Sequence, residues 1–246
     1  MFRFFRRMRS TAMMNHRVVR YFLYALGEIA LVVIGILIAL YVNERQEWRE
    51  DRRQERAYLM ELRQDLERNL EELERVIVKS QNVVIGSDSL IAYSRRAPKD
   101  IPDERMMLYM DQVMGYTKHM TQQGTVEDLM GSGRLEVIRN DTIRRAIATW
   151  EADLKLMREL EVDAKTSFLN LVEYLNTNVP IYERPDLNYL KTELLAQMRY
   201  LNRLTDRAIA TDFLNEVYRD MKPFWEELLA QVNREINQTQ AKTASP

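Results

Sequence analysis

The sequence predicts an all-α protein: one N-terminal transmembrane helix continuing into an antiparallel helical bundle ectodomain. Three observations carry that expectation. Residues 21–42, YFLYALGEIALVVIGILIALYV, form a single apolar run with one charge, Glu28. All seven glycines lie at or before Gly133, and a Gly-free stretch rich in Leu, Glu, Arg, Ala and Gln reads as helix. Apolar residues beyond the run recur at helical spacing. No alternating Val/Ile/Thr segment bounded by turns suggests a sheet.

The apolar run comes first because it has the length a bilayer demands. A helix needs about 20 apolar residues to cross a hydrocarbon core of roughly 30 Å. Tyr21, Tyr24 and Tyr41 sit near its ends, where amphipathic rings favour the lipid–water boundary. A cleaved signal peptide would need a shorter core and a small-x-small exit. The exit here, Ala39-Leu40-Tyr41-Val42-Asn43, offers none.

Six arginines (Arg3, Arg6, Arg7, Arg9, Arg17, Arg20) and no acid precede the run. On the other side Arg45, Arg49, Arg52, Arg53 and Arg56 interleave with acids, which count little in the positive-inside rule. The bias places the arm, residues 1–20, in the cytoplasm. It places residues 43–237, the helical ectodomain, in the periplasm of a bacterium, with the plasma membrane between. Phe2, Phe4 and Phe5 among those arginines suit an anionic inner leaflet, or simply a topogenic tail.

Within the span, Glu28, Val32, Gly35 and Ala39 recur at i+4, i+3 and i+4 and share one face. Gly35 and Ala39 form a small-xxx-small pair that lets two helices approach closely. A carboxyl group in lipid costs several kcal/mol unless it meets a partner, so Glu28 either hydrogen-bonds across such a contact or reaches for the interface. This is the candidate helix–helix contact, and it makes the lipid bilayer plus a second copy or another membrane protein the expected partners.

Two segments resemble a known family. The block LYALGEIALVVIGILIALYVNE, residues 23–44, is similar to the N-terminal signature of an uncharacterised family of bacterial single-span membrane proteins, a domain of unknown function. The segment Leu129-Met130-Gly131-Ser132-Gly133-Arg134-Leu135, followed by Ile138-Arg139-Asn140, is similar to a second stretch of that family ahead of a long helix. The chain departs from the family's Asn-Asn-Trp-like exit with Val42-Asn43-Glu44. The resemblance implies a membrane location and a helical ectodomain, and no activity.

The chain carries a net charge of −1, and the part beyond the run is mildly acidic. Nucleic acid wants a basic face, so no nucleic-acid partner is expected. With no cysteine there can be no disulfide, thiolate metal site or cysteine nucleophile.

In order, residues 43–56 read as a charged, solvated stalk broken only by Trp48. A seam then opens at Leu59, Leu62, Leu66, Asn69, Leu73 and Val76, the 3-4 spacing of helix-on-helix packing. Asn69 would fix register in an oligomer or sit tolerated at a bundle edge. Gly86-Ser87-Asp88-Ser89 is expected to end or kink this helix, and residues 97–102, with two prolines, to form a loop. A helix capped by Asp100 or Asp103 should run to about Met120, with Met106, Met107, Met110 and Met114 in the core. Thr125 should cap a short helix, with Asp128 completing a capping box, and Gly131-Ser132-Gly133 should close it as a tight connection rather than a phosphate cradle. Asn140 or Asp141 should cap a long helix striped by Ile143, Ile147, Trp150, Leu154, Met157, Ala164, Phe168, Leu171 and Leu175, stopping before Pro180. The last helical region carries Leu194, Met198, Leu201 and Leu204. Leu214, Val217, Met221, Phe224, Leu228 and Val232 follow, with Pro223 interrupting or kinking it. Residues 238–246 read as a disordered tail.

No catalytic, cofactor or metal residue stands out. His16 and His119 fall on opposite sides of the membrane in this scheme, and the acids alternate with arginines as on solvated helix faces. The expectation is therefore a non-enzymatic interaction, scaffold or sensor module without a cofactor. It would act through span and bundle, since only about 20 residues lie on the cytoplasmic side. The other class is a ligand-binding receptor or enzyme with a pocket between helices, Trp150 and Tyr174 being the first aromatics to inspect.

Overall fold

A computed structural model describes residues 16–96, 100–180 and 186–244. The expected arm up to Asn15, residues 97–99 of the expected loop and residues 245–246 of the expected tail lie outside the described residues. The chain is all-α, with six helices and no strand among the described residues: α1 (His16–Arg96), α2 (Asp103–Val113), α3 (Gly124–Gly131), α4 (Asp141–Asn178), α5 (Leu187–Tyr189) and α6 (Met198–Ala244). A 3-10 turn (Leu135–Val137) precedes α4, and a π-helical turn (Leu190–Leu194) follows α5. The chain divides into two units, Met1–Gln54 and Glu55–Pro246.

In the first unit, α1 carries the apolar run. It is the one helix among the described residues long and apolar enough to cross a membrane. Its large hydrophobic side chains between Tyr21 and Val42 are exposed, and a methyl group added at Gly27 or Gly35 would meet nothing within 4 Å. That face is open.

The second unit has two apolar clusters. In one, the whole expected seam of α1 is buried, packing with Leu129, with Ile143 to Ala164 of α4 and with Leu214 to Ile236 of α6. The other gathers Leu90, Ile101, Met106 and Val113 with Leu171, Leu175, Leu194, Tyr200 and Leu204. Cross-links between the long helices pair Glu74 with Lys222 (2.7 Å), Gln81 with Arg219 (3.1 Å), Asn140 with Glu235 (3.2 Å) and Glu161 with Tyr218 (2.9 Å).

Several expectations change on contact with the structure. Residues 86–89 do not end α1. Ser87 donates to the Val83 carbonyl within the helix (2.8 Å), and Gly86 is there because α2 comes close: a Cβ at Gly86 would lie 2.8 Å from Gln112 Cβ and 3.0 Å from the Tyr109 carbonyl oxygen. α2 stops at Val113, not near Met120, and only Met106 of its methionines is fully buried. Met107 and Met114 are exposed. Its N-cap is Pro102, with no side-chain cap, and Asp103 instead pairs with Lys191 at 2.5 Å. Thr125 does not cap α3. Its N–H and hydroxyl both donate to Asp65 of α1 (3.2 and 2.6 Å), so a carboxylate from another helix serves that N-terminus, while Asp128 accepts from Tyr58 (2.9 Å).

α3 closes as expected at Gly133, whose φ of 69° glycine alone adopts without strain. Arg134 N–H bonds the Leu129 carbonyl and Gly133 N–H that of Met130, a Schellman stop. Asn140 caps α4, accepting from Thr142 and Ile143. α6 passes through Pro223 and beyond Gln238 to Ala244. Its buried stripe continues with Ile236 and Thr239. Its inner face is turned slightly from the expected one: Tyr218 and Trp225 are buried, whereas Val217 is half-buried and Phe224 and Met198 are exposed.

Gly86 yields a prediction against helix propensity. Gly86→Ala should gain up to ~1 kcal/mol from propensity but lose more by overpacking against α2, which typically costs about 1–3 kcal/mol. Chemical denaturation should show a net loss. Gly35→Ala, with open space around it, should leave the same unfolding transition unmoved.

Candidate functional site

Between α2 and α3 the chain has no regular structure, yet residues 115–123 run partly through the interior, with Thr117 and His119 almost fully buried. Such a strap cannot bond its backbone to itself, and buried amides left unpaired are costly. The surrounding helices supply the partners. Asn69 donates to the Gln122 carbonyl (2.7 Å) and accepts from its N–H (2.6 Å). Glu161 Oε1 accepts from the His119 N–H (2.8 Å) and from the Tyr218 hydroxyl (2.9 Å). Arg207 donates to the carbonyls of Gly115 and Val113 and to that of Ala164 (3.0 Å), and to the Thr211 hydroxyl (3.1 Å). Asn69 therefore fixes the register of a segment of its own chain, in place of the oligomer register or bundle-edge roles expected for it.

His119 is held as one tautomer. Its Nε2 faces the Asn69 carbonyl oxygen (3.0 Å), which can only accept, so Nε2 carries the proton and Nδ1 accepts from Thr121 (2.9 Å). The ring lies 5.2 Å from Trp225, which stacks on Trp150 at 5.7 Å with 8° between planes. Burial pushes the His119 pKa below its ordinary value, and Arg75 adds to that. The Asn69 carbonyl, Glu72 and Glu161 oppose it. Burial also raises the Tyr218 hydroxyl, as does Glu161, so Tyr218 remains a donor. Arg207, buried and laid 5.4 Å over Phe168, is lowered by burial to about 10 and keeps its charge at neutral pH.

Above this network lies a cleft of about 430 Å³ between the strap and α4. His119 and Glu161 form its floor, Tyr116, Met157 and Val162 its apolar wall, and Lys118, Arg158 and Lys165 its rim. Arg158 is engaged by Glu151 (2.6 Å) and Gln123 (2.9 Å). Lys118 and Lys165 have no carboxylate within ion-pair distance among the described residues. Trp150 and Tyr174 do not line the cleft: Trp150 is in the core, and Tyr174 stacks on Tyr200 and donates to Gln197. The described residues contain no group of three or more His, Cys, Asp or Glu placed to hold a metal.

The structure leaves the other candidate, Glu28, Val32, Gly35 and Ala39, on one exposed face of α1 with Ala25 and Ile29 beside it. Sequence reasoning missed Glu161 and Arg207. Each left a trace: the α4 stripe skips from Met157 to Ala164 just where Glu161 sits, and the α6 stripe breaks between Leu204 and Leu214 where Arg207 and Thr211 are buried.

Two predictions follow from the network. An unfolded chain binds a proton at His119 near pH 6.5, before the folded chain does, so this histidine's contribution to stability is complete above about pH 6.5 and is lost as pH falls below it. Thermal unfolding should show wild type losing more stability than His119→Gln between pH 7.5 and 5. Arg207→Lys keeps the charge but cannot reach several carbonyls at once. It should destabilise the fold by about 1–3 kcal/mol in denaturant titration.

No curated protein and no solved structure matches the chain. Residues 28–158, a little over half of it, match a family of unknown function, DUF6090. That match takes in Glu28 and most of the span, and it covers the strap, the segment from Leu129 to Asn140 and α4 as far as Arg158. The chain belongs to that family.

Proposed function

We propose that this protein is a single-pass membrane protein acting as a sensor or scaffold, with its N-terminus in the cytoplasm and residues 43–237 as an antiparallel helical bundle in the bacterial periplasm. The observation that carries the reading is the open apolar run of α1, which among the described residues buries almost none of itself against protein. Large exposed apolar surface of that kind suits lipid. The charge asymmetry around the run supports the orientation. The cross-links support the antiparallel order for α6, whose higher-numbered residues meet lower-numbered residues of α4 and of α1; α1 and α4 themselves run parallel to each other.

In this reading the protein works by association, not catalysis, through the Glu28, Val32, Gly35 and Ala39 face, with a second copy or another membrane protein as partner. The floor and rim of the cleft favour a second reading, in which the bundle is a ligand-binding receptor.

Cysteines placed one at a time along residues 28–39 test the association in native membranes. Crosslinking should peak at 28, 32, 35 and 39. Gly35→Leu should reduce the crosslinked dimer at least fivefold with membrane insertion unchanged. Monomer alone at every position would overturn the association. A C-terminal reporter active only in the cytoplasm would overturn the topology.

A further inference from the structure

The cleft has an unusual order of charge from floor to rim. Glu161 is 4% exposed, and one of its oxygens holds both the His119 N–H and the Tyr218 hydroxyl. Its other oxygen, Oε2, accepts no hydrogen bond among the described residues. Oε2 is not sealed from water but opens on the cleft, where a cation or hydrogen-bond donors complete it. Neither neighbour supplies a cation, because His119 is fixed as the neutral Nε2–H tautomer by the Asn69 carbonyl and Tyr218 is a neutral hydroxyl. The rim is the reverse. Lys118 and Lys165 are exposed and unpaired among the described residues, and Arg158 stands beside them. One acid lies deep and three bases lie outside, and buried Met157 and exposed Val162 also line the cleft.

We propose that this cleft binds a small zwitterion of net negative charge, an acidic amino acid or a dipeptide ending in one, with its ammonium on Glu161 Oε2 and its carboxylates on Lys118 and Lys165. An ammonium supplies the donors and positive charge that the floor lacks. Two carboxylates answer the surplus of cations at the rim. The volume of about 430 Å³ is in the range of small-molecule sites and accepts a ligand of one or two residues. Arg158, already tied to Glu151 and Gln123, frames the opening more than it offers a free charge. The proposal rests on the receptor reading and narrows it to one ligand class.

The test uses the full-length protein in detergent, with titration calorimetry and thermal unfolding. The probes are L-glutamate, L-aspartate and glycyl-L-glutamate, against glutarate, which lacks the amine, and butylamine, which lacks the carboxylates. At least one zwitterion should bind and raise the melting temperature, with glutarate and butylamine at least tenfold weaker. Glu161→Gln keeps an oxygen for His119 and Tyr218, and should abolish the preference for the zwitterion over glutarate. Lys118→Gln combined with Lys165→Gln, both exposed and without partners to lose, should weaken the zwitterion at least tenfold while leaving the unliganded melting temperature unchanged. Glutarate binding as tightly as L-glutamate, with loss in the double lysine variant, would overturn the zwitterion and leave the receptor reading standing. No binding by any of the five probes would overturn the zwitterion, and if wider panels of neutral and apolar compounds also fail, the receptor reading falls separately.

Discussion

The bundle unit is organised by one constraint: residues 115–123 run between the helices, partly in the interior, without a ladder of their own. Every backbone group they bring inside must be paired by a side chain from another element. The buried polar residues make sense as the answer. Asn69 reaches from α1, Glu161 from α4 and Arg207 from α6, and each contacts the strap or its leading edge. His119 returns a bond to the Asn69 carbonyl. Each long helix supplies at least one bond to the strap's backbone, so the strap ties the three to one another as much as they hold it.

A second polar layer, which includes Arg207 and part of the strap, separates two apolar clusters. Ser80 of α1 and Thr117 of the strap share a hydrogen bond (3.0 Å), and Ser167, Arg207 and Thr211 are buried close by along α4 and α6. On one side lie Leu73, Val76, Ala164 and Leu214, and on the other Leu90, Val113, Leu171 and Leu204. Apolar packing alone tolerates a slip of one helix along another, because one Leu layer resembles the next. A buried arginine that must meet particular carbonyls does not. The polar layer thus gives little net stability per bond, about 0.5–1.5 kcal/mol, but it specifies which residues of α4 and α6 stand opposite each other.

What the sequence makes legible is whatever apolar periodicity encodes. The seam from Leu59 to Val76 and the stripe from Ile143 to Leu175 were readable because burial repeats at 3 and 4 residues, and Asn140 because N-caps have a narrow residue preference. The strap was not readable. Its residues, Gly115 to Gln123, carry no period, and helical propensity alone runs α2 on toward Met120. Partners far apart in sequence were equally hidden. Nothing local says that Thr125 answers to Asp65 of α1 or that Gly86 makes room for Gln112. Glu161 and Arg207 were half-visible, as interruptions in apolar stripes at positions where the helical phase demands burial. A charged residue in such a gap, on a face otherwise apolar for many turns, is better read as an inward-pointing polar anchor than as the edge of a stripe.

That rule bears on where chemistry can arise in a protein built almost wholly of salt-laced helices. Acids and arginines at i+3 and i+4 on exposed faces neutralise one another in water and select nothing. A site needs a charge held away from bulk water yet open to a cleft. Glu55 and Lys191 are buried too, but against the Arg139 N–H and Asp103, whereas the strap holds Glu161 inward beside a cleft. The cleft lies against the strap for that reason. The segment that breaks the helical pattern holds Glu161 and His119 at its back and carries Lys118 on its own edge. In the proposed site, structural need and binding capacity meet in the same residues. Substitutions there should be judged by whether they disturb the backbone pairing or only the open oxygen and the free lysines.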